Sequence, residues 1–244
     1  MFPQSASLRR TVDRSFSKLG LVLDRRDSTL AELRFRLLRE HAVSAVIDVG
    51  ANVGQYAREL RRGGFDGSIV SVEPLADAYE KLTAAARSDP AWTCHRTLLG
   101  KTEGEAVVHV AGNSVSSSIF AMEKAHERAA PGSAFVREER VQTTTLDRLL
   151  EQLPASLTAS TFLKVDTQGA ELEVLGGAAN WLQMCVGIEV EMSLIPLYVG
   201  APTYLEVGGF LAAAGFVPVA FQRGFTDPDT RQTLQMDGLF KRGD

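Results

Sequence analysis

The chain has 244 residues, of which 45% are hydrophobic and 23% charged, and it carries a net charge of −4 at neutral pH. That length suits one large domain that buries most of its unfolded surface without a metal or disulfide, and the composition excludes a disordered, collagenous or disulfide-built protein. The mild acidity offers no footprint for nucleic acid, and no apolar run reaches the roughly 18 residues of a membrane span.

In chain order, residues 1–43 hold nine Lys/Arg against five Asp/Glu, so the basic charge is local. The stretch through Asp27 reads as a polar, Arg-rich arm. Thr29-x-x-Glu32 is a capping-box spacing, and Leu30, Leu33 and Leu37 follow the helical period, predicting a helix over about 29–41. From Ser44 the pattern turns to strand–helix alternation, so the chain divides into an N-terminal arm and helix (1–43) and a main domain (44–244). Strands are predicted at 45–49 and 69–73, each followed by a helix starting near Val53 and Leu75, which is the mark of a parallel sheet. Between Gly100 and Leu153 the rhythm is interrupted by short strands at 105–110 and 139–143, with a Ser-, Ala- and Gly-rich stretch between them. The alternation resumes with a strand at 162–166, a helix at 170–179, a strand at 186–190 and a helix at 203–214. It closes on an antiparallel hairpin at 216–221 and 233–240.

Cys94 and Cys185 fall in apolar strands and are expected as reduced core thiols. Together with the lack of a signal-peptide core, this makes the cytoplasm the expected location. Trp92 and Trp181 lie on regular elements and are expected in the core. His95 and His109 fall in strands, His41 ends the first helix, and His126 is expected as a surface side chain on the insertion, with a role as base the lesser reading.

The chemistry concentrates at strand ends. Asp48 ends the first strand, and Gly50-Ala51-Asn52-Val53-Gly54 opens the next helix; glycines there allow a sharp turn and close ligand approach. The spacing is G-x-x-x-G, so the dinucleotide pattern G-x-G-x-x-G fails and a pyrophosphate ligand is disfavoured. Glu73 ends the second strand nineteen residues after Gly54 and is followed by Pro74. An acid there can accept hydrogen bonds from both ribose hydroxyls. Asp166 ends the central strand, and Glu189 and Glu191 share one face of the next at period two. Two acids on one face of a central strand are costly if buried, so either they line a cleft, where one could act as a general base, or that strand end is exposed.

D-V-G-A-N-V-G-Q-Y with V-E-P resembles the S-adenosylmethionine pocket of class I methyltransferases. In order along the chain, T-T-T-L-D-R-L (143–149), F-L-K-V-D-T-Q-G-A-E (162–171) and V-L-G-G-A (174–178) resemble the FkbM family of O-methyltransferases, with Thr167-Gln168 standing where many members carry Val-Glu. The resemblance implies a Rossmann-like α/β fold: a doubly wound, mostly parallel seven-stranded sheet with a C-terminal antiparallel hairpin, an N-terminal helix and an inserted β-hairpin region. It also implies S-adenosylmethionine as cofactor. Asp48, Gly50, Ala51, Asn52 and Gly54 would line its methionine end, Glu73 and Pro74 the ribose, Leu99 the adenine wall, and Ser117 and Ser118 would sit nearby. Asp166, Glu189 and Glu191 are the candidate catalytic residues. Mg²⁺ on those three carboxylates stays open, although no dedicated cage is visible.

The reaction implied is methyl transfer to a hydroxyl of a sugar unit (glycolipid or glycan) or of a secondary metabolite. The acceptor would be chosen by 112–138, by 192–202 and by aromatics such as Phe120, Phe135, Tyr198 and Tyr204. A nicotinamide-dependent oxidoreductase and a non-catalytic nucleoside-binding partner subunit are the alternatives, and a homo-oligomer stays open.

Overall fold

A computed structural model describes residues 29–113, 115–153 and 160–243; the expected arm lies outside the described residues. Helix α1 (Leu30–Glu40) begins where the spacing predicts. The Thr29 hydroxyl accepts from Glu32 N–H (3.2 Å), and the Glu32 carboxylate accepts from Thr29 N–H (2.9 Å). Each satisfies an amide that the first helical turn leaves without a partner. The apolar face of α1, Leu30, Leu37 and Leu38, packs into a cluster with Val46, Phe162 and Leu239 of the sheet.

The main sheet contains β1 (Ala45–Val49), β2 (Ser68–Val72), β3 (Trp92–His95), β7 (Thr161–Val165), β8 (Cys185–Ser193), β9 (Phe216–Arg223) and β10 (Gln235–Arg242), in the order β3-β2-β1-β7-β8-β10-β9. The strands from β3 through β8 run parallel, and β10 pairs antiparallel to both β8 and β9. This is the expected seven-stranded, mostly parallel sheet with its closing hairpin. Every residue of β1 and β7 is buried, as central strands covered on both faces must be. Helices α2 (Gln55–Arg62) and α3 (Ala76–Ala86) follow β1 and β2, and α6 (Glu171–Gly176) and α7 (Tyr204–Ala213) follow β7 and β8. Because β1 is flanked by β2 and β7, successive crossovers leave it in opposite directions and open a crevice beyond Val49 and Val165.

The interruption of the alternation is a second sheet, ordered β4-β6-β5. Strand β4 (Leu98–Leu99) is parallel to β6 (Phe135–Thr144), and β5 (Gly104–Ala111) is antiparallel to it. Strand β6 starts four residues before the predicted Glu139, because its ladder with β5 continues to Ala111 opposite Phe135. Between β5 and β6 lies a helix that was not predicted, α4 (Lys124–Ala129). It has no side-chain cap and packs through Ala129 against Leu197 and Tyr198.

Two of the motif blocks turn out to hold elements together. The Thr145 hydroxyl caps α5 (Leu146–Leu150) by accepting from Arg148 N–H, and the Asp147 carboxylate accepts from Asn180 and Trp181 N–H (3.0 and 2.9 Å). A Cβ at Gly177 would lie 2.1 Å from the carbonyl oxygen of Gly100, so V-L-G-G-A lets α6 approach the loop after β4.

Candidate active site

A cavity of about 460 Å³ opens in the crevice beyond the ends of β1, β2, β7 and β8, inside the range of roughly 300–1,000 Å³ typical of small-molecule sites. Asp48, Gly50, Ala51 and Asn52 of the first loop line it, as do Glu73, Pro74 and Leu99. Ser117, Ser118, Asp166 and Glu191 complete the predicted residues that it brings together. Its apolar wall is Leu75, Leu98, Leu99 and Val108.

Gly54 stands behind this lining. At φ +83° it sits against Trp92, 2.8 Å from where a Cβ would be. The Trp92 indole N–H donates to the Ser71 hydroxyl (2.9 Å), which donates to Asp48 Oδ2 (3.2 Å). Thus the second glycine of the loop seats the core tryptophan that orients Asp48. Glu73 is also held: Asn52 N–H donates to Oε2 (2.9 Å) and Leu75 N–H to Oε1 (3.0 Å). One lone pair on each oxygen stays available for a ligand.

Burial raises the Asp48 carboxyl to about 7 against the pull of Lys164 and Ser71, and burial likewise raises Glu73 to about 7 against its two backbone donors. A carboxyl raised on folding contributes stability that is complete below its unfolded pKa and lost as pH climbs through its folded pKa. Asp48→Asn has no charge to bury. Its stability relative to the parent should therefore rise between about pH 4 and 7, by a few kcal/mol at most. Urea unfolding of both proteins across that range measures the gap; a constant gap would remove Asp48 as a strained acid.

Lys164 lines the cavity and was not singled out by the sequence reading. Its Nζ lies 3.7 Å from Asp166 and 3.6 Å from Asp237. Burial works against its charge, but Asp166, Asp237, Glu189 and Glu191 outweigh burial and hold the ammonium above its ordinary range. The one clue in the sequence is a lysine inside the apolar run Phe162-Leu163-x-Val165. Gln168, left-handed at φ +53°, ties the remaining acids together. Its Nε2 donates to Asp166 Oδ1 (2.9 Å) and Glu191 Oε2 (2.6 Å), and its Oε1 accepts from the Tyr198 hydroxyl (2.9 Å). Gln235 Nε2 adds a second bond to Glu191 Oε2 (2.7 Å). Burial, then the charge of Asp166, push Glu191 well above the usual carboxylate range.

Two expectations need correction. Glu189 does not reach the cavity: Arg34, from α1, donates to both its oxygens (2.9 and 3.0 Å) and also pairs with Glu59. A carboxylate so engaged is unavailable as a base, and the Asp166/Glu189/Glu191 grouping considered for Mg²⁺ is split. Among the described residues, no cluster of three or more His, Cys, Asp or Glu is arranged to hold a metal. His126 is not a surface side chain: it is 2% exposed and lines the cavity, because α4 turns inward onto Tyr198 and Phe225.

Tyr198 is buried, whereas Tyr204 opens α7 on the far side, beside a separate apolar groove. Phe135 stacks on His109, which pairs with Glu138 (3.3 Å). Ser117 Oγ accepts from Ala111 N–H (3.0 Å), and Ser118 Oγ donates to the Gln168 carbonyl (2.7 Å), so the serine cluster fastens the insertion to the loop after β7. Trp92 and Trp181 are buried, and Cys94 and Cys185 are free thiols that burial raises to about 11 and about 12. No described helix is long and apolar enough to cross a membrane.

Four carboxyl groups around a cavity with an aliphatic wall suit a cationic ligand that carries a flat apolar ring, as S-adenosylmethionine does. The family model for the methyltransferase FkbM domain matches residues 48–218. No curated protein matches the sequence. Among solved structures, EvdMO1 is 12% identical with a TM-score of 0.43 over 100% of this chain, which spans only half of that protein's length. Magnesium protoporphyrin IX methyltransferase from Synechocystis PCC 6803, solved with bound SAM, is 9% identical (TM-score 0.45, 100% and 99% of the two chains). A putative RNA methyltransferase from Pyrococcus horikoshii is 12% identical (0.41, 97% and 100%). The family match runs from the end of β1 into β9, and the chain belongs to the FkbM family of methyltransferases.

Proposed function

We propose that the chain is an O-methyltransferase that moves the methyl group of S-adenosylmethionine to a hydroxyl of a sugar unit or of a secondary metabolite. The observation that carries this reading is the single cavity in which Asp48, Glu73, Asp166 and Glu191 face an aliphatic wall. Glu73 takes the ribose hydroxyls on its spare lone pairs, Leu98 and Leu99 face the adenine, and Asp48, Asn52 and Asp166 hold the methionine end. The cofactor supplies an electrophilic methyl carbon. This chain must then hold an acceptor oxygen in line with that carbon and provide for its proton. Gln168 and Gln235 both donate to Glu191, and in this reading the acceptor lies beside that carboxyl group. The polar, uncharged side chains Asn113, Ser116 and Gln235 in the lining suit a neutral polyhydroxylated molecule. The free cysteines fit a reducing cytoplasm.

Calorimetric titration with S-adenosylmethionine tests the reading. Glu73→Ala should weaken binding about ten- to a hundredfold, since a hydrogen bond to a charged group is worth about 1.5–3 kcal/mol. Glu73→Gln, which keeps one acceptor, should fall between that and the parent. Affinity unchanged in Glu73→Ala would refute the ribose role, and a thermal shift with NADH but none with S-adenosylmethionine would refute the methyltransferase reading. Tritium passing from labelled cofactor to methyl hexopyranosides tests the acceptor class.

A further inference from the structure

We infer that His126 is the catalytic base, the group that receives the proton of the acceptor hydroxyl. The inference rests on the reading of the cavity as an O-methyltransferase site. Each carboxyl group in the lining is already held by donors: Asp48 by Ser71, Glu73 by Asn52 and Leu75, Asp166 by Gln168 and Lys164, and Glu191 by Gln168 and Gln235. The imidazole of His126 is the exception. It lines the same cavity, is 2% exposed, and its buried Nδ1 has no hydrogen-bond partner.

The ring is nevertheless fixed in place. It meets Tyr198 edge-on with centroids 5.1 Å apart at 70°, and Phe225 at 5.4 Å and 44°. Tyr198 is in turn bonded to Gln168, which bridges Asp166 and Glu191. His126 therefore stands one side chain away from the acidic network, in a cluster (Ala129, Leu197, Tyr198, Phe225) separate from the Leu75–Leu98–Val108 cluster expected to face the adenine. Burial lowers its pKa from the ordinary histidine value, so at neutral pH the ring is uncharged and able to accept.

The step balances within the groups named. The acceptor O–H bond breaks and its proton goes to the imidazole; the oxygen forms a bond to the methyl carbon. The S–CH₃ bond breaks with its electron pair left on sulfur, giving a methyl ether and a neutral thioether. The imidazolium then returns its proton to solvent.

The test has two arms on the full chain. In the first, diethyl pyrocarbonate, which acylates neutral imidazoles, is applied at pH 7 and the modified peptides are mapped by mass spectrometry, with exposed His41 as the positive control. Modification of His126 that leaves S-adenosylmethionine binding intact is expected; modification of His41 with His126 untouched overturns the inference. In the second, His126→Gln and His126→Ala are compared with the parent for tritium transfer to methyl α-L-rhamnopyranoside and methyl α-D-glucopyranoside. A fall in kcat of about a hundredfold or more, with cofactor affinity and thermal midpoint retained and with partial rescue of His126→Ala by added imidazole, supports it. Undiminished kcat in His126→Gln overturns it. If neither glycoside is methylated by the parent, or a variant does not fold, the modification map decides. A parent protein that does not bind the cofactor defeats the O-methyltransferase reading itself, a result distinct from either failure.

Discussion

Replacing Gly50 by alanine is expected to destroy cofactor binding and to destabilise the protein by about 2–5 kcal/mol. Gly50 follows directly on β1 with φ +79°, a left-handed conformation that costs an L-residue about 1–2 kcal/mol. Its N–H and that of Ala51 both donate to the Val72 carbonyl (3.0 and 3.1 Å), which pins the turn across the end of β2. On the other side, an added Cβ would fall 1.8 Å from the Asp166 carbonyl oxygen, backbone that cannot move without parting β7 from β1. Such overpacking costs about 1–3 kcal/mol more and shifts Asp48, Asn52 and Asp166 relative to one another. Gly64 provides the control. It has φ +85° and nothing within 4 Å of its would-be Cβ, so Gly64→Ala should show the conformational cost alone. Denaturant midpoints and calorimetry on the two variants separate the terms, and equal losses would show that the contact with β7 is unimportant.

Arg34→Ala is expected to cost about 3–5 kcal/mol, the usual penalty for leaving one partner of a buried ion pair uncompensated. Arg34 is 3% exposed, grips both oxygens of Glu189, pairs with Glu59 and lies 4.7 Å over the Tyr56 ring. Removing it leaves buried Glu189 with the Tyr56 hydroxyl and the charge of Lys164 alone to offset its burial and the repulsion of Asp237. A double replacement, Arg34→Met with Glu189→Leu, should recover much of the loss because neither charge is then buried. A lower urea midpoint at unchanged slope in Arg34→Ala would give the expected pattern, and a double variant as unstable as the single one would contradict it. Glu189→Gln should leave methyl transfer essentially intact, since the pair lies outside the cavity lining.

These two sites show what the linear sequence could and could not reveal. Asp48, Glu73 and Asp166 were readable because each terminates an apolar β-branched run, and chain order places the ends of parallel strands at one edge. The turn after β1 was readable from its glycines for the same local reason. Glu189 was misread because its partner Arg34 is 155 residues away on a helix whose packing no pattern specifies; period two put Glu189 and Glu191 on one face but not at one depth. His126 was misread because α4 is six residues long without a side-chain cap, so nothing local announces a helix or its buried side. Gln168 stands in the loop after β7. Its amide donates to two acids at once, a service that a third carboxylate could not perform for them.

The small sheet β4-β6-β5 has a consequence for how this enzyme can change its chemistry. Residues of the stretch 97–130 line the cavity, from Thr97 and Leu98 through Ser118 to His126 and Ala130. Carried on to Thr144, the stretch is closed on itself through the pairing of β4 with β6, while the strand ladder of the main sheet runs without it. The second sheet is thus a unit with its own pairing, and it carries to the cavity both Leu98 and Leu99, which the proposed reading sets against the adenine, and the segment that leads to His126. Exchanging that unit between relatives should therefore alter the donor wall and the acceptor side together.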